Sequence, residues 1–295
     1  MSDEKHKMYF MFKSYSLKSI GRKLGFEVKM VDGRIHIHHL HRCPVDRRPL
    51  WAQRLSSKSC FCRAVVQSGL LTHRQMVRAA LRYRLGRSKD DAVIYWQIDQ
   101  LGRVHDGKLM WYGSDCHRLK QRNATWVVYL LKRHFNIPQD TFQPIHIFFG
   151  THLLKSKTRS QTSDGTTVCV VEAEKSAIIL SERYPQYIWL AAGGLHELQP
   201  YKFQPLKHYK VILFPDTDPN LTAYTQWYNA AQQVMRTFFW PRHNPIYVSD
   251  FLERHASPAQ KERKIDLVDY LVEFCHTDNT KKIIFNLLCS PNQHD

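Results

Sequence analysis

The chain has 295 residues, 43% of them hydrophobic, which is enough for one large or two modest domains with a buried core. Its apolar runs fall short of a membrane span, and its charged, aromatic opening lacks an apolar stretch followed by a cleavage site, so a cytoplasmic protein with no membrane partner is expected. Of the formal net charge of +17, residues 1–150 carry 27 Lys and Arg against 11 Asp and Glu, and residues 151–295 carry 16 against 15. The first half therefore reads as a footprint for a polyanion and the second as a near-neutral catalytic body.

Residues 1–68 are basic and mixed in pattern. Alternation at Arg34-Ile35-His36-Ile37-His38 predicts a strand. Cys43, Cys60 and Cys62, with His36, His38, His39 and His41, give no paired Cys-x-x-Cys, so no zinc ribbon is expected. The odd total of seven cysteines argues against a disulfide framework.

Residues 69–150 read as a basic α+β domain. Thr72 and Gln75 form a capping box that opens a helix with Met76, Val77, Ala79, Ala80 and Leu81 as its apolar positions. Arg74, Arg78 and Arg82 recur every fourth residue on it, a stripe suited to DNA phosphates and equally to a solvated face. AVIYWQID and GKLMWYG are β-rich runs joined by a short connection with Gly102 and Gly107, which predicts a hairpin. On it Arg103 and Lys108 are candidates for nucleotide or template contact. Trp96, Trp111 and Tyr112 could stack on bases, although alternating aromatics on a hairpin more often belong to a core. A helix from Trp126 to His134 follows.

From Thr166 the pattern becomes strand, helix, strand, strand, helix: TVCVV, EKSAIILSERY, YIWLAA, YKVILFPD, then a helix to about Phe239. Buried strands alternating with helices predict an α/β unit with a parallel sheet covered on both faces. IYVSDFL reads as a final strand, and a helix from Asp266 to Phe274 lies within a helical extension over 251–295. Glu172 directly follows the first of these strands, and Asp216 and Asp218 follow the third. Carboxylates at the carboxyl ends of parallel strands stand where such sheets place their chemistry, and closely spaced acids favour a cation. Taken alone, Asp-x-Asp is more often a loop cap.

VVEAEKSAI resembles the Toprim glutamate motif, LAAGGL the small glycine-bearing strand end, and VILFPDTDPN the Toprim Asp-x-Asp. VIYWQIDQLGRVHDGKLMWYG is similar to the segment preceding the Toprim domain in bacterial replicative primases, and FFGTHLL to the connector that enters it. From about Gly69 to Phe274 the chain resembles primase-like Toprim proteins of bacterial mobile elements.

That resemblance implies a Rossmann-like Toprim domain over 151–250 with Glu172 as general acid or base. It also implies magnesium or manganese held by Glu172, Asp216 and Asp218. Lys175 becomes a candidate for phosphate, and Gly193 and Gly194 for a turn beside the crevice. The expected activity is primer synthesis on single-stranded DNA from nucleoside triphosphates, with a replicative helicase as a separate partner because no Walker motif is present. A Toprim nuclease and a non-catalytic replication accessory remain the alternatives. Ala173 departs from the glycine that usually follows the glutamate.

Overall fold

The computed structural model describes residues 26–31, 34–39, 56–134, 136–141, 143–154, 166–241 and 245–274. The chain divides into two compact units, residues 1–147 and 148–295. Of the residues on which the zinc expectation turned, Cys60 and Cys62 are free thiols on the first helix below, and the side chains of Cys43, His36, His38, His39 and His41 lie outside the described residues.

In the first unit, β1 (Phe26–Val31) and β2 (Arg34–His39) form an antiparallel pair. Two short helices follow, α1 (Cys60–Gln67), capped by Ser59, and α2 (His73–Arg82). The expected capping box is present, with the Thr72 hydroxyl accepting from Gln75 N and the Gln75 side chain accepting from Thr72 N. A four-stranded sheet is ordered β3 (Gly86–Arg87), β4 (Val93–Ile98), β5 (Val104–Met110), β6 (Thr125–Trp126). The β4–β5 hairpin pairs Val93 with Met110 and Trp96 with Gly107. Helix α3 (Val127–His134) then follows β6 directly. Every residue of β4 is buried, as a central strand covered on both sides requires. Phe61 of α1 meets Tyr95 edge-on.

Trp96 explains two glycines. Its indole lies in the space that Gly86 and Gly107 leave on the flanking strands. A Cβ added at Gly86 would lie 2.7 Å from Trp96 Nε1, and one at Gly107 2.7 Å from Trp96 Cε3. The ring thus replaces the packing those glycines cannot provide.

The second unit contains a parallel sheet ordered β10 (Ile246–Val248), β9 (Lys210–Phe214), β7 (Thr167–Val171), β8 (Ile188–Ala191). Helix α4 (Glu174–Arg183) joins β7 to β8, a 3-10 helix over Pro200–Leu206 leads toward β9, and α5 (Thr222–Thr237) joins β9 to β10. Short helices α6 (Phe251–His255) and α7 (Pro258–Glu262) and then α8 (Leu267–Phe274) follow.

Alternation divides the strands between two faces. Val168, Val170, Leu190, Val211 and Leu213 join a core with Phe203, Trp227, Ala231 and Val234. On the other face Trp189 packs against Phe214 with ring centroids 5.8 Å apart. Of the segment read as a final strand only Ile246–Val248 pairs, and Phe251 already begins α6. Among the described residues no helix is long and apolar enough to cross a membrane.

The packing of Trp96 predicts that Gly107→Ala destabilises the protein by about 2 kcal/mol, because the methyl overlaps a ring held in a full core. Urea denaturation checks this, and a variant as stable as wild type would show that the indole can move aside.

Candidate functional site

The site is built by strand order. The chain steps from β7 outward to β8, returns past β7 to β9, and continues outward to β10, so the direction of winding reverses between β7 and β9. Open α/β sheets bind ligands at the carboxyl ends of the two strands flanking such a reversal. Val171 and Phe214 are partners in register at the last step of the β7–β9 ladder. Glu172 directly follows the first, and Asp216 follows the second after Pro215, so both acids leave the sheet side by side.

A third and a fourth carboxylate arrive from α8. Thr217 N–H donates to Ile265 O at 3.2 Å, which brings the segment preceding α8 to the Asp216 loop. Asp266 accepts a hydrogen bond from the buried Ser176 hydroxyl of α4 through Oδ2 and from Asp269 N–H at 2.8 Å through Oδ1. Asp269 Oδ2 accepts from Asp266 N–H at 3.3 Å, so the two acids cap α8 reciprocally. Lys175 Nζ lies 3.9 Å from Asp266 and 3.8 Å from Asp269. Sequence reasoning made Lys175 a phosphate candidate. In the structure it is the counterion of two acids that the sequence reading had not singled out.

Asp216 carries the electrostatic consequence. Burial pushes its carboxyl well above the ordinary carboxylate range, and the charges of Asp266, Glu172 and Asp269 push it the same way, with Lys175 opposing them. A group so placed resists ionisation until a positive charge joins it.

The structure brings two of the three expected acids together and gives the third another task. Asp218 Oδ1 accepts from Asn220 N–H at 2.9 Å, and Oδ2 accepts from Ala223 N–H at 2.8 Å at the start of α5. The cap position itself is held by Leu221 at φ 56°, whose side chain has no acceptor, so Asp218 supplies the missing oxygens. Its pKa is lowered, since backbone donors outweigh the opposing effect of burial.

Gly193 sits at φ +96°, where glycine is favoured, and donates from its N–H to Glu172 O at 2.9 Å. A Cβ there would lie 3.6 Å from Glu174 Oε1, so this turn borders the glutamate loop, while a Cβ on Gly194 would meet Glu197. Ala173 has φ −97° and ψ 143°, an extended conformation open to any residue, so its departure from glycine costs the backbone nothing.

The candidates in the first unit have separate surroundings. Arg103 Nε donates to Asp99 Oδ2 at 2.6 Å, and Asp99 Oδ1 accepts from Leu101 and Arg103 N–H, which fixes the hairpin turn. Although burial opposes it, the hydrogen bonds from His105 and Arg103 hold the Asp99 carboxyl down at about 2. Lys108 is half-buried on β5, opposite Tyr95 and Trp126. Arg74 and Arg78 are exposed on α2 and Arg82 is half-buried. Trp96 and Tyr112 are core residues at 2% and 8% exposure, whereas Trp111 is only partly buried.

The family described as a domain of unknown function, DUF6371, matches residues 61–217, just over half of the chain, and the protein belongs to that family. The match takes in the β4–β5 hairpin, Glu172 and Asp216 and ends before Asp266. No curated protein matches the chain. Among solved structures, the primase fragment of the bacteriophage T7 primase-helicase protein is similar at a TM-score of 0.43 and 14% identity, over 70% of each chain. The DnaG catalytic core is similar at 0.42 and 12%, over 81% of this chain and 87% of that one. Both scores are too low to establish a shared fold.

The raised carboxyl of Asp216 makes a prediction for the protein without divalent cations. The unfolded chain ionises at the ordinary pKa and the folded one only above it, so the charge opposes folding above the ordinary range, and the penalty vanishes below about pH 4. Asp216→Asn should therefore melt at least about 2 °C higher than wild type at pH 7 in chelator, with the gap closing as the pH falls. Thermal scans at both pH values check it, and a variant less stable at pH 7 would contradict the electrostatic account.

Proposed function

We propose that this protein is a magnesium-dependent phosphoryl-transfer enzyme acting on nucleic acid, and that its reaction is the synthesis of short primers on single-stranded DNA from nucleoside triphosphates. The observation that carries this reading is the placement of Glu172 and Asp216 just past the ends of neighbouring parallel strands at the reversal of strand order, where burial and then the neighbouring acids raise the Asp216 carboxyl. The Toprim-like motifs around the same residues support it, and so does the positive charge of the first half.

The donor set fits a hard cation. Among the described residues no group of three His, Cys, Asp or Glu side chains is arranged to hold a metal ion. Magnesium, however, is commonly held by one or two carboxylates together with its own waters and substrate phosphate. Asp216 and Glu172 would hold it, and Asp218, engaged at α5, would join only by sharing its capping oxygens. When bound, the cation neutralises charge on the phosphoryl group being transferred.

The chain's own residues do the rest. Glu172 takes the proton of the attacking 3′-hydroxyl as its oxygen bonds to the α-phosphate and the bond to the departing pyrophosphate breaks. Gly193 keeps the floor of the crevice free of a side chain beside the glutamate loop. Lys175 and Ser176 restrain Asp266 and Asp269, so the acidic charge around Asp216 has a fixed geometry. Any strand separation would fall to a helicase acting as a separate partner.

The test incubates the full-length protein with single-stranded DNA, magnesium or manganese and labelled nucleoside triphosphates. Short products should appear, and Glu172→Gln and Asp216→Asn should each lower their yield by about a hundredfold or more. Degradation of the DNA without new products would redirect the reading to phosphodiester cleavage. Neither activity, in a protein that binds the cation, would overturn it.

A further inference from the structure

The first unit carries a second surface with a chemistry of its own, at the end of β5 and the turn between β3 and β4. Trp111 packs one side against the core formed by Ile94, Trp96 and Leu109. Over its ring lies the Arg122 guanidinium, 5.2 Å from the centroid. The ring is held by its Nε1–H, which donates to Asp90 O at 3.3 Å, and the backbone carbonyl of Trp111 accepts from Leu119 N–H at 2.9 Å.

Around it stand Arg63, Arg87, Lys89, Arg118, Lys120 and Arg122, all exposed. Lys89 adjoins Asp90, and Arg118 and Lys120 flank Leu119, whose N–H reaches Trp111 O. Arg63 and Arg87 both pair with Asp91, and Arg122 reaches Asp90 at 3.5 Å. Asp90, Asp91 and Asp115 are the acids beside those cations, so positive charge is in excess. The hydrogen bond from Arg63 holds the Asp91 carboxyl below its ordinary range, which keeps that acid a fixed anchor for the two arginines.

We propose that this surface binds single-stranded nucleic acid, with a base taking the place of the Arg122 guanidinium over Trp111 and that guanidinium and the cations beside it taking the neighbouring phosphates. A fixed, partly exposed indole among guanidinium and ammonium groups is the combination single strands use, because every base offers a π-face and every nucleotide a charge. The patch has no apolar tip for entering a lipid surface, since Ser114, Asp115, His117, Gln121 and Asn123 are the exposed residues between its cations. The choice of polyanion rests on the reading of the chain as a nucleic-acid enzyme.

The experiment titrates the full-length protein with a labelled oligothymidylate and, separately, with heparin, a polyanion without bases. Trp111→Leu should weaken the oligonucleotide by about tenfold and leave heparin unchanged, and Trp111→Phe should restore the oligonucleotide. Replacing Arg118, Lys120 and Arg122 together by Gln should weaken both ligands and flatten the salt dependence of oligonucleotide binding by about two in log–log slope.

Unchanged oligonucleotide affinity in both the Leu and the triple Gln variants would overturn the proposal. So would an equal loss of heparin in Trp111→Leu, which would mark a general basic patch such as an acidic protein partner would use. Binding that follows these variants in a protein that makes no primers would refute the proposed reaction and leave this surface standing. Primer synthesis with binding indifferent to them would do the reverse.

Discussion

Carboxylates at short range repel one another, and the acidic end of the second unit exists only because the sheet overrides that repulsion. Parallel pairing along β7 and β9 is a run of backbone hydrogen bonds between buried apolar residues, and it leaves no choice about where the next residues go. Glu172 and Asp216 are therefore brought together by Val168 to Val171 and Val211 to Phe214, whose burial stabilises the unit by far more than one crowded acid costs. The loop after β9 is then tied down by Thr217, and α8 delivers Asp266 and Asp269 to the same place.

The Asp-x-Asp sequence shows how one motif divides into two tasks. Asp216 faces the charges of Glu172 and α8, whereas Asp218 faces the unsatisfied N–H groups at the start of α5. The division follows from Leu221, which occupies the cap in a left-handed conformation and cannot accept a hydrogen bond. Two carboxylates of similar sequence context thus have pKa values pushed in opposite directions, one up by desolvation and like charge, the other down by donors.

Much of this was legible from residue order, because strand and helix periods and the capping box at Thr72 are local signals. The parallel sheet, the hairpin and the positions of Glu172 and Asp216 at strand ends all follow from such signals. Asp266 was not legible as a member of the site. It lies fifty residues beyond Asp216, and the Thr217 to Ile265 hydrogen bond and the packing of α8 against α4 through Ser176 make them neighbours. Helix α1 was missed because its Cys, Phe and Val content is a weak helix signal and no Glu or Gln completes a box with Ser59. The separation of Trp96 and Tyr112 from Trp111 was also hidden, since alternation places rings on faces without saying which face the chain then covers.

Lys175 sharpens what the second unit lacks. It is the cation among the strongest charges acting on Asp216, yet its ammonium stands beside Asp266 and Asp269, just under 4 Å from each. Its field lowers the cost of ionising Asp216 without cancelling the effect of three acids and burial, so the carboxyl stays raised. A monovalent side chain at that distance is a partial counterion, and relieving the remainder calls for charge placed directly on the carboxylate. On the proposed reading, a small divalent ion that keeps most of its own water would meet that demand with one or two protein oxygens, leaving its other positions open for phosphate. In that reading, the crowding that makes ionised Asp216 electrostatically costly is also what would favour a cation beside it.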